Sequence, residues 1–117
     1  MINANSKLIS LFQQLEEIKE TYISLSSSSL HKNSGMQWTV YKNEYEKIGE
    51  IMSSGTYKQI QAEFIEEVMY SIFEMLDGYK GLEFDADIID KQTGESIIQG
   101  IQLHDKYRDF IEANRDM

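Results

Sequence analysis

A long apolar stretch, residues 56–79, constrains the fold of this chain more than any other part of the sequence. Two apolar rows run through it at the three-and-four spacing of an α-helix, one formed by Tyr57, Ile60, Phe64, Val68, Ile72, Met75 and Leu76, the other by Ile65, Met69 and Phe73. One polar line remains, formed by Glu63, Glu67, Tyr70, Glu74 and Asp77. An ordinary surface helix has a single apolar stripe. The pattern therefore predicts a central helix, from Thr56 as N-cap to a stop at Asp77-Gly78, that is covered on two sides and buries Phe64 and Ile72.

The length of 117 residues predicts a single domain, residues 1–117. The chain has no cysteine, which excludes disulfides and thiolate metal sites and favours a reducing compartment. Its first residues lack the basic-then-apolar layout of a signal peptide, and no apolar run reaches the roughly 20 residues of a membrane span. We therefore expect a cytoplasmic protein.

The formal net charge is −9, and it is concentrated in one region. Residues 60–90 contain nine acids and one base, Lys80, so that this region alone accounts for −8. Such a region repels nucleic acid and anionic lipid and attracts a basic partner. A purely solubilising role for these charges is the alternative.

Two further helices are predicted before the central one. The first spans residues 6–25, with Asn5 or Ser6 as N-cap and one apolar stripe formed by Leu8, Leu11, Phe12, Leu15, Ile18, Tyr22 and Leu25. Four serines then predict a mobile loop over about residues 26–35. The second helix spans about residues 37–52 and carries an aromatic seam, Trp38, Tyr41 and Tyr45, followed by Ile48 and Met52. This seam is either core or a contact face.

After Gly81 the apolar period changes from 3.6 to 2, which predicts a β-hairpin. The turn covers residues 90–94, and the register pairs Ile88 with Ile97. One face of the hairpin would then be buried, formed by Phe84, Ala86, Ile88, Ile97 and Ile101. A last helix is predicted from Leu103 to about Asn114. The fold class is therefore α+β, mostly α: three N-terminal helices, one hairpin lying on the helical core, and one C-terminal helix.

The sequence contains no recognisable catalytic or cofactor-binding motif. Asp85, Asp87 and Asp90 fail the calcium-loop spacing, because the oxygen ligand and the glycine are missing at the fifth and sixth positions. His104 is next to Asp105, but neighbouring helical residues point about 100° apart rather than at each other. This favours a capping or core-edge role for His104 over a catalytic pair. There is no glycine-rich phosphate loop. We therefore expect neither an enzyme nor a cofactor nor a metal site.

The C-terminal half resembles small bacterial immunity proteins of polymorphic or contact-dependent toxin systems. The similarity covers about residues 64–114. It is carried by Phe73-x-x-Leu76-Asp77-Gly78, Phe84, Ile89-Asp90-x-x-Thr93-Gly94-x-x-Ile97 and Leu103-His104-Asp105-x-Tyr107-x-x-Phe110-Ile111. The resemblance implies a cytoplasmic protein that neutralises a toxin domain by binding it. It implies no catalytic residue.

The leading hypothesis is thus an acidic protein-binding domain whose partner is basic, such as a nuclease-like toxin, and is neither nucleic acid nor membrane. The carboxylates of this domain would occupy sites on the partner that normally bind phosphates. The predicted partner-binding residues are Glu63, Glu67, Glu74, Glu83, Asp85 and Asp87. The alternative is an oligomeric structural or regulatory module, for example a homodimer formed through the aromatic seam. Binding that weakens steeply with salt would separate the first hypothesis from the second.

Overall fold

The structure is a computed structural model, and it describes residues 3–32, 38–79 and 81–115. Four helices occur in these ranges: α1 (Ala4–Ser28), α2 (Lys42–Ile51), α3 (Ser54–Leu76) and α4 (Leu103–Arg115). The same ranges contain no β-strand, so the predicted α+β class is wrong and the described chain is helical. No helix among the described residues is long and apolar enough to cross a membrane.

Capping side chains set where α1 and α3 begin. The Asn3 side-chain oxygen accepts a hydrogen bond from the backbone N–H of Ser6 at 2.8 Å. In the same way, Ser53 Oγ accepts one from the N–H of Thr56 at 3.2 Å. Helix α1 therefore begins two residues before the predicted start at Ser6, and the cap of α3 is Ser53 in place of the predicted Thr56. In each helix an earlier residue satisfies a free N–H group of the first turn.

The end of α3 confirms the predicted stop at Asp77-Gly78. Gly78 has a positive φ of 93°. Its N–H donates to the Met75 carbonyl at 3.0 Å, and the N–H of Tyr79 donates to the Glu74 carbonyl at 2.9 Å. These two bonds form a Schellman motif, in which glycine takes the left-handed conformation without a Cβ clash.

The serine-rich segment is not the loop that was predicted. Helix α1 continues to Ser28, and the side chains of Ser26, Ser27 and Ser29 are buried. Their hydroxyls donate to carbonyls one turn earlier, for example Ser29 Oγ to the Leu25 oxygen at 2.9 Å. Serine can remain in the helix here because these bonds satisfy its hydroxyl inside the fold. Residues 33–35 of the predicted loop lie outside the described residues.

The second helix is shorter than predicted. Helix α2 begins at Lys42, so that Trp38 and Tyr41 precede it, and the predicted start at Gln37 lies outside the described residues.

Helix α4 runs from Leu103 to Arg115, which confirms the predicted C-terminal helix to within one residue.

The chain forms two compact units, residues 1–15 with 67–117, and residues 16–66. In the first unit, the core consists of Leu8, Phe12, Phe73, Leu103 and Tyr107. The ring of Phe12 lies within 6 Å of the rings of Phe73, Tyr107 and Phe110, with centroid distances of 5.8, 5.6 and 5.5 Å. The helices α1, α3 and α4 therefore meet through aromatic side chains.

The predicted hairpin is reduced to one isolated bridge between Ile89 and Ser96. That bridge has the predicted register, and the Ile97 N–H donates to the Ile88 carbonyl at 2.9 Å. The described residues form no further bridge, and the second arm turns at residues 99 and 100, where Gly100 has a φ of 75°. Phe84 is 68% exposed, so the predicted buried face of the hairpin is also wrong at this residue.

Lys7 on α1 forms ion pairs with the turn between the two arms of this segment. Its Nζ lies 2.7 Å from Asp90 Oδ2 and 3.2 Å from Glu95 Oε1. The hydrogen bond from Lys7 lowers the pKa of Asp90 below its ordinary value of 3.8, and the same bond raises the pKa of Lys7. Because the folded pKa of Asp90 is lowered, its contribution to stability is present above about pH 3.8 and is lost as the pH falls further.

The second unit contains a buried lysine. Lys19 Nζ is 2.9 Å from Glu66 Oε2 and 2.7 Å from Glu16 Oε1, and its side chain is 4% exposed. Burial lowers the pKa of Lys19, but the bonds to the two glutamates outweigh it and the pKa is raised. Glu66 is therefore engaged within this unit and is not part of the exposed acidic surface.

In the same unit, Gly49 on α2 lies against the end of α1. We expect Gly49→Ala to lower the free energy of unfolding by about 1–2 kcal/mol, because an added Cβ would lie 2.1 Å from the Leu30 carbonyl oxygen. The oxygen belongs to the backbone and cannot move away by a side-chain rotation. The higher helix propensity of alanine offsets only about 1 kcal/mol of the resulting loss in stability. Urea denaturation measures the change. Gly55→Ala is the control, since a Cβ there meets nothing within 4 Å. Equal effects at both glycines would contradict the close approach.

Candidate binding surfaces

The predicted partner-binding acids divide into two groups in the structure. Glu63 and Glu67 are exposed on α3, whereas Glu74 on the same helix is only half-buried and has an interaction partner. Glu83, Asp85 and Asp87 are exposed in the irregular segment between α3 and α4. Their predicted location on a strand is wrong, since the described residues of this segment form one bridge only.

The most unusual surface is one face of α3, which we call the α3 outer face: Ile60, Glu63, Phe64, Glu67, Val68 and Ile72. Its apolar residues were predicted to be core, and that prediction is wrong. Ile60, Phe64, Val68 and Ile72 are 47%, 66%, 45% and 45% exposed. They recur every four residues, so the helical repeat alone places them in one row.

An acidic row lies beside this apolar row. Glu63 and Glu67 follow Ile60 and Phe64 by three residues, the spacing at which helical side chains are neighbours. Neither carboxylate forms an ion pair with any described residue. Two like charges four residues apart destabilise a helix slightly, by about 0.2–0.5 kcal/mol. The α3 outer face thus combines exposed apolar area with negative charge that no described residue neutralises in an ion pair.

Two acids of the second group, Asp85 and Asp87, border an open cavity of about 420 Å³ in the first unit. Asp77, Asp85, Asp87 and Ser96 are among its lining residues. Asp87 Oδ1 accepts a hydrogen bond from Ser96 Oγ at 2.7 Å, so this carboxylate is already used inside the segment. The described residues contain no group of three or more His, Asp or Glu side chains arranged to hold a metal ion.

His104 belongs to a capping contact whose partner, Asp77, the sequence did not indicate. The carboxylate of Asp77, at the end of α3, accepts hydrogen bonds from the backbone N–H groups of Leu103 and His104, both at 2.9 Å. It also contacts His104 Nδ1. The His104 ring lies edge-on to Tyr70 and Tyr79, with centroid distances of 5.3 and 5.2 Å. Asp77 therefore caps α4, and the imidazole completes that cap.

The aromatic seam is used within the second unit. Trp38 lies between Tyr22 and Tyr45, at centroid distances of 6.3 and 5.6 Å, and its Nε1–H donates to Ser29 Oγ at 2.8 Å. Tyr45 in turn lies 6.4 Å from Tyr57. Trp38 and Tyr45 thus have ring contacts inside their own unit, whereas Tyr41 stays 62% exposed.

Comparisons with protein families, with curated proteins and with solved structures gave no match for this chain. The resemblance to immunity proteins therefore stays a prediction.

Proposed function

We propose that this chain is a protein-binding domain whose α3 outer face docks a basic partner. The observation that supports this most is the row of four apolar side chains on α3, each at least 45% exposed. Single exposed apolar residues are normal in proteins, but a contiguous row is typical of an interaction surface. A partner helix with apolar residues at matching intervals would cover it.

The charge of the same face indicates the chemistry of the partner. Glu63 and Glu67 border the apolar row and have no described counter-ion, and the chain as a whole carries −9. Lysine or arginine beside the partner's own apolar residues would meet these carboxylates. A nuclease-like toxin fits this description, since its phosphate-binding surface is basic. The immunity-type resemblance of residues 64–114 favours the same partner.

Self-association through the aromatic seam is less well supported. Trp38 and Tyr45 already pack against other rings of their own unit. A dimer formed through the α3 outer face would instead place Glu63 and Glu67 in an interface with their own copies or close to it. Like charges in that position disfavour such a dimer.

The test uses matched variants and a purified partner. We expect Phe64→Asp to weaken binding at least about 30-fold, because it puts a charge where an exposed anchor meets the partner. A double variant, Glu63→Lys with Glu67→Lys, should weaken binding and reduce its salt dependence. The control carries the same charge change on α1, Glu17→Lys with Glu20→Lys, both exposed.

The partner is obtained by co-expression with the product of the neighbouring gene or by affinity capture from the native host. It is then purified, and its 1:1 affinity is measured by calorimetry. Full affinity in Phe64→Asp would contradict the proposal. So would a wild-type dimer that Phe64→Asp dissociates in sedimentation experiments, because the face would then be a self-association surface.

A further inference from the structure

A small pocket in the second unit has the composition of a cation-binding aromatic cage. Its volume is about 250 Å³, and it is lined by Tyr41, Glu44, Tyr45, Ile48, Tyr57 and Gln61. Three of the six lining residues are tyrosines, and one is an acid. All six come from α2, the residue before it and the first part of α3.

The tyrosine rings are arranged as walls. Tyr45 and Tyr57 stand at 76° to each other with ring centroids 6.4 Å apart, and Tyr57 is buried. Trp38 packs against Tyr45 at a centroid distance of 5.6 Å and so holds that ring in place. Tyr41 is 62% exposed and lies at the edge of the pocket. Two walls are therefore fixed by packing, and the third is accessible from solvent.

The electrostatics of the pocket favour a positive charge. Burial, together with the neighbouring Tyr57, raises the pKa of Tyr45 above its ordinary value, at which a phenol is already neutral at physiological pH. Neutral tyrosine rings attract cations through their negative faces. Glu44 adds a carboxylate at the same pocket. A purely apolar ligand would gain nothing from this carboxylate.

We propose that this pocket binds an alkylammonium group, most directly the side chain of a lysine on the basic partner. As a partner contact this inference rests on the proposed function. The pocket lies next to the α3 outer face, since Gln61 on α3 is three residues from Phe64 and neighbours it on the helix. A lysine beside the partner's apolar residues would therefore reach the cage.

Cation binding is tested on the wild-type chain without any partner, so its failure is distinct from failure of the proposed function. The probes are choline and N-acetyl-lysine methylamide, with 3,3-dimethylbutanol as the neutral isostere of choline. Sodium chloride at equal ionic strength corrects for salt. Trp38 is the one tryptophan of the chain and touches Tyr45, so its fluorescence reports on the cage. Backbone amide shifts of α2 locate the site.

Tyr41 offers the cleanest variant, because its side chain is exposed. Its role at the start of α2 belongs to its backbone carbonyl, which accepts a hydrogen bond from the Tyr45 N–H at 3.0 Å and is kept in every variant. We expect Tyr41→Ala to weaken cation binding about threefold and Tyr41→Phe to leave it unchanged. Glu44→Gln should weaken it to a similar extent. Glu50→Gln on the same helix is the control, since Glu50 is exposed and does not line the pocket.

Saturable binding of both cations, with the neutral isostere much weaker, is the expected result. Equal binding of the isostere, no saturable response, or a response that Tyr41→Ala and Glu44→Gln leave unchanged would each overturn the proposal. Binding of choline without the lysine derivative would overturn the role as a lysine contact and assign the pocket to small quaternary amines.

Discussion

Asp77→Ala will lower the free energy of unfolding by about 3 kcal/mol or more. The Asp77 carboxylate is almost completely buried, at 3% exposure, and accepts from the backbone N–H groups of Leu103 and His104 and contacts His104 Nδ1. Alanine leaves these groups without an acceptor inside the fold. Each unsatisfied buried donor costs about 1–3 kcal/mol, and loss of a helix cap alone costs about 1 kcal/mol.

Urea denaturation measures this loss, and two further variants show its cause. Asp77→Asn keeps one acceptor oxygen, so an intermediate loss is expected. Asp105→Ala removes an exposed acid from the first turn of the same helix, and we expect a change below about 1 kcal/mol. Equal losses for Asp77→Ala and Asp105→Ala would show that α4 does not depend on the bond to the end of α3.

Phe12→Ala will cost about 3–5 kcal/mol. Phe12 is 2% exposed and contacts three aromatic rings from α3 and α4. Truncation removes a large buried ring and leaves a cavity among neighbours that cannot collapse fully. The control is Phe84→Ala, because Phe84 is 68% exposed and should change stability by less than about 0.5 kcal/mol. A loss at Phe84 as large as that at Phe12 would mean that residues 82–101 are packed more tightly than the structure shows.

Local sequence patterns predicted the helices well, because their apolar period and caps are properties of short segments. The helices α1 and α4 and the Asp77-Gly78 stop of α3 are present in the structure. The predicted stripe of α1 is wrong at Ile18 and Tyr22, which are 52% and 51% exposed. The register at Ile89 and Ser96 also follows from the local turn. A two-stranded sheet does not follow from such signals, since an isolated hairpin is marginal without further strands or a packed face. Here the chain turns toward α4 instead.

Burial on α3 could not be predicted from its composition. An apolar arc wider than one stripe is compatible with a helix covered by its own chain and with one that offers a face to another molecule. The sequence therefore identified Glu63 and Glu67 as surface residues but assigned Phe64 and Ile72 to the core. The pairing of Asp77 with His104 could not be predicted from local sequence patterns either, because the two residues are 27 positions apart.

The central claim is that the apolar row of α3 is surface and not core, and two truncations on that helix test it most directly. We expect Phe64→Ala to lower the free energy of unfolding in urea by less than about 1 kcal/mol, since Phe64 is 66% exposed. Phe73→Ala, nine residues later and 6% exposed, should cost about 3–5 kcal/mol. A loss of about 3 kcal/mol at both positions would contradict the exposure of Phe64 and with it the binding surface.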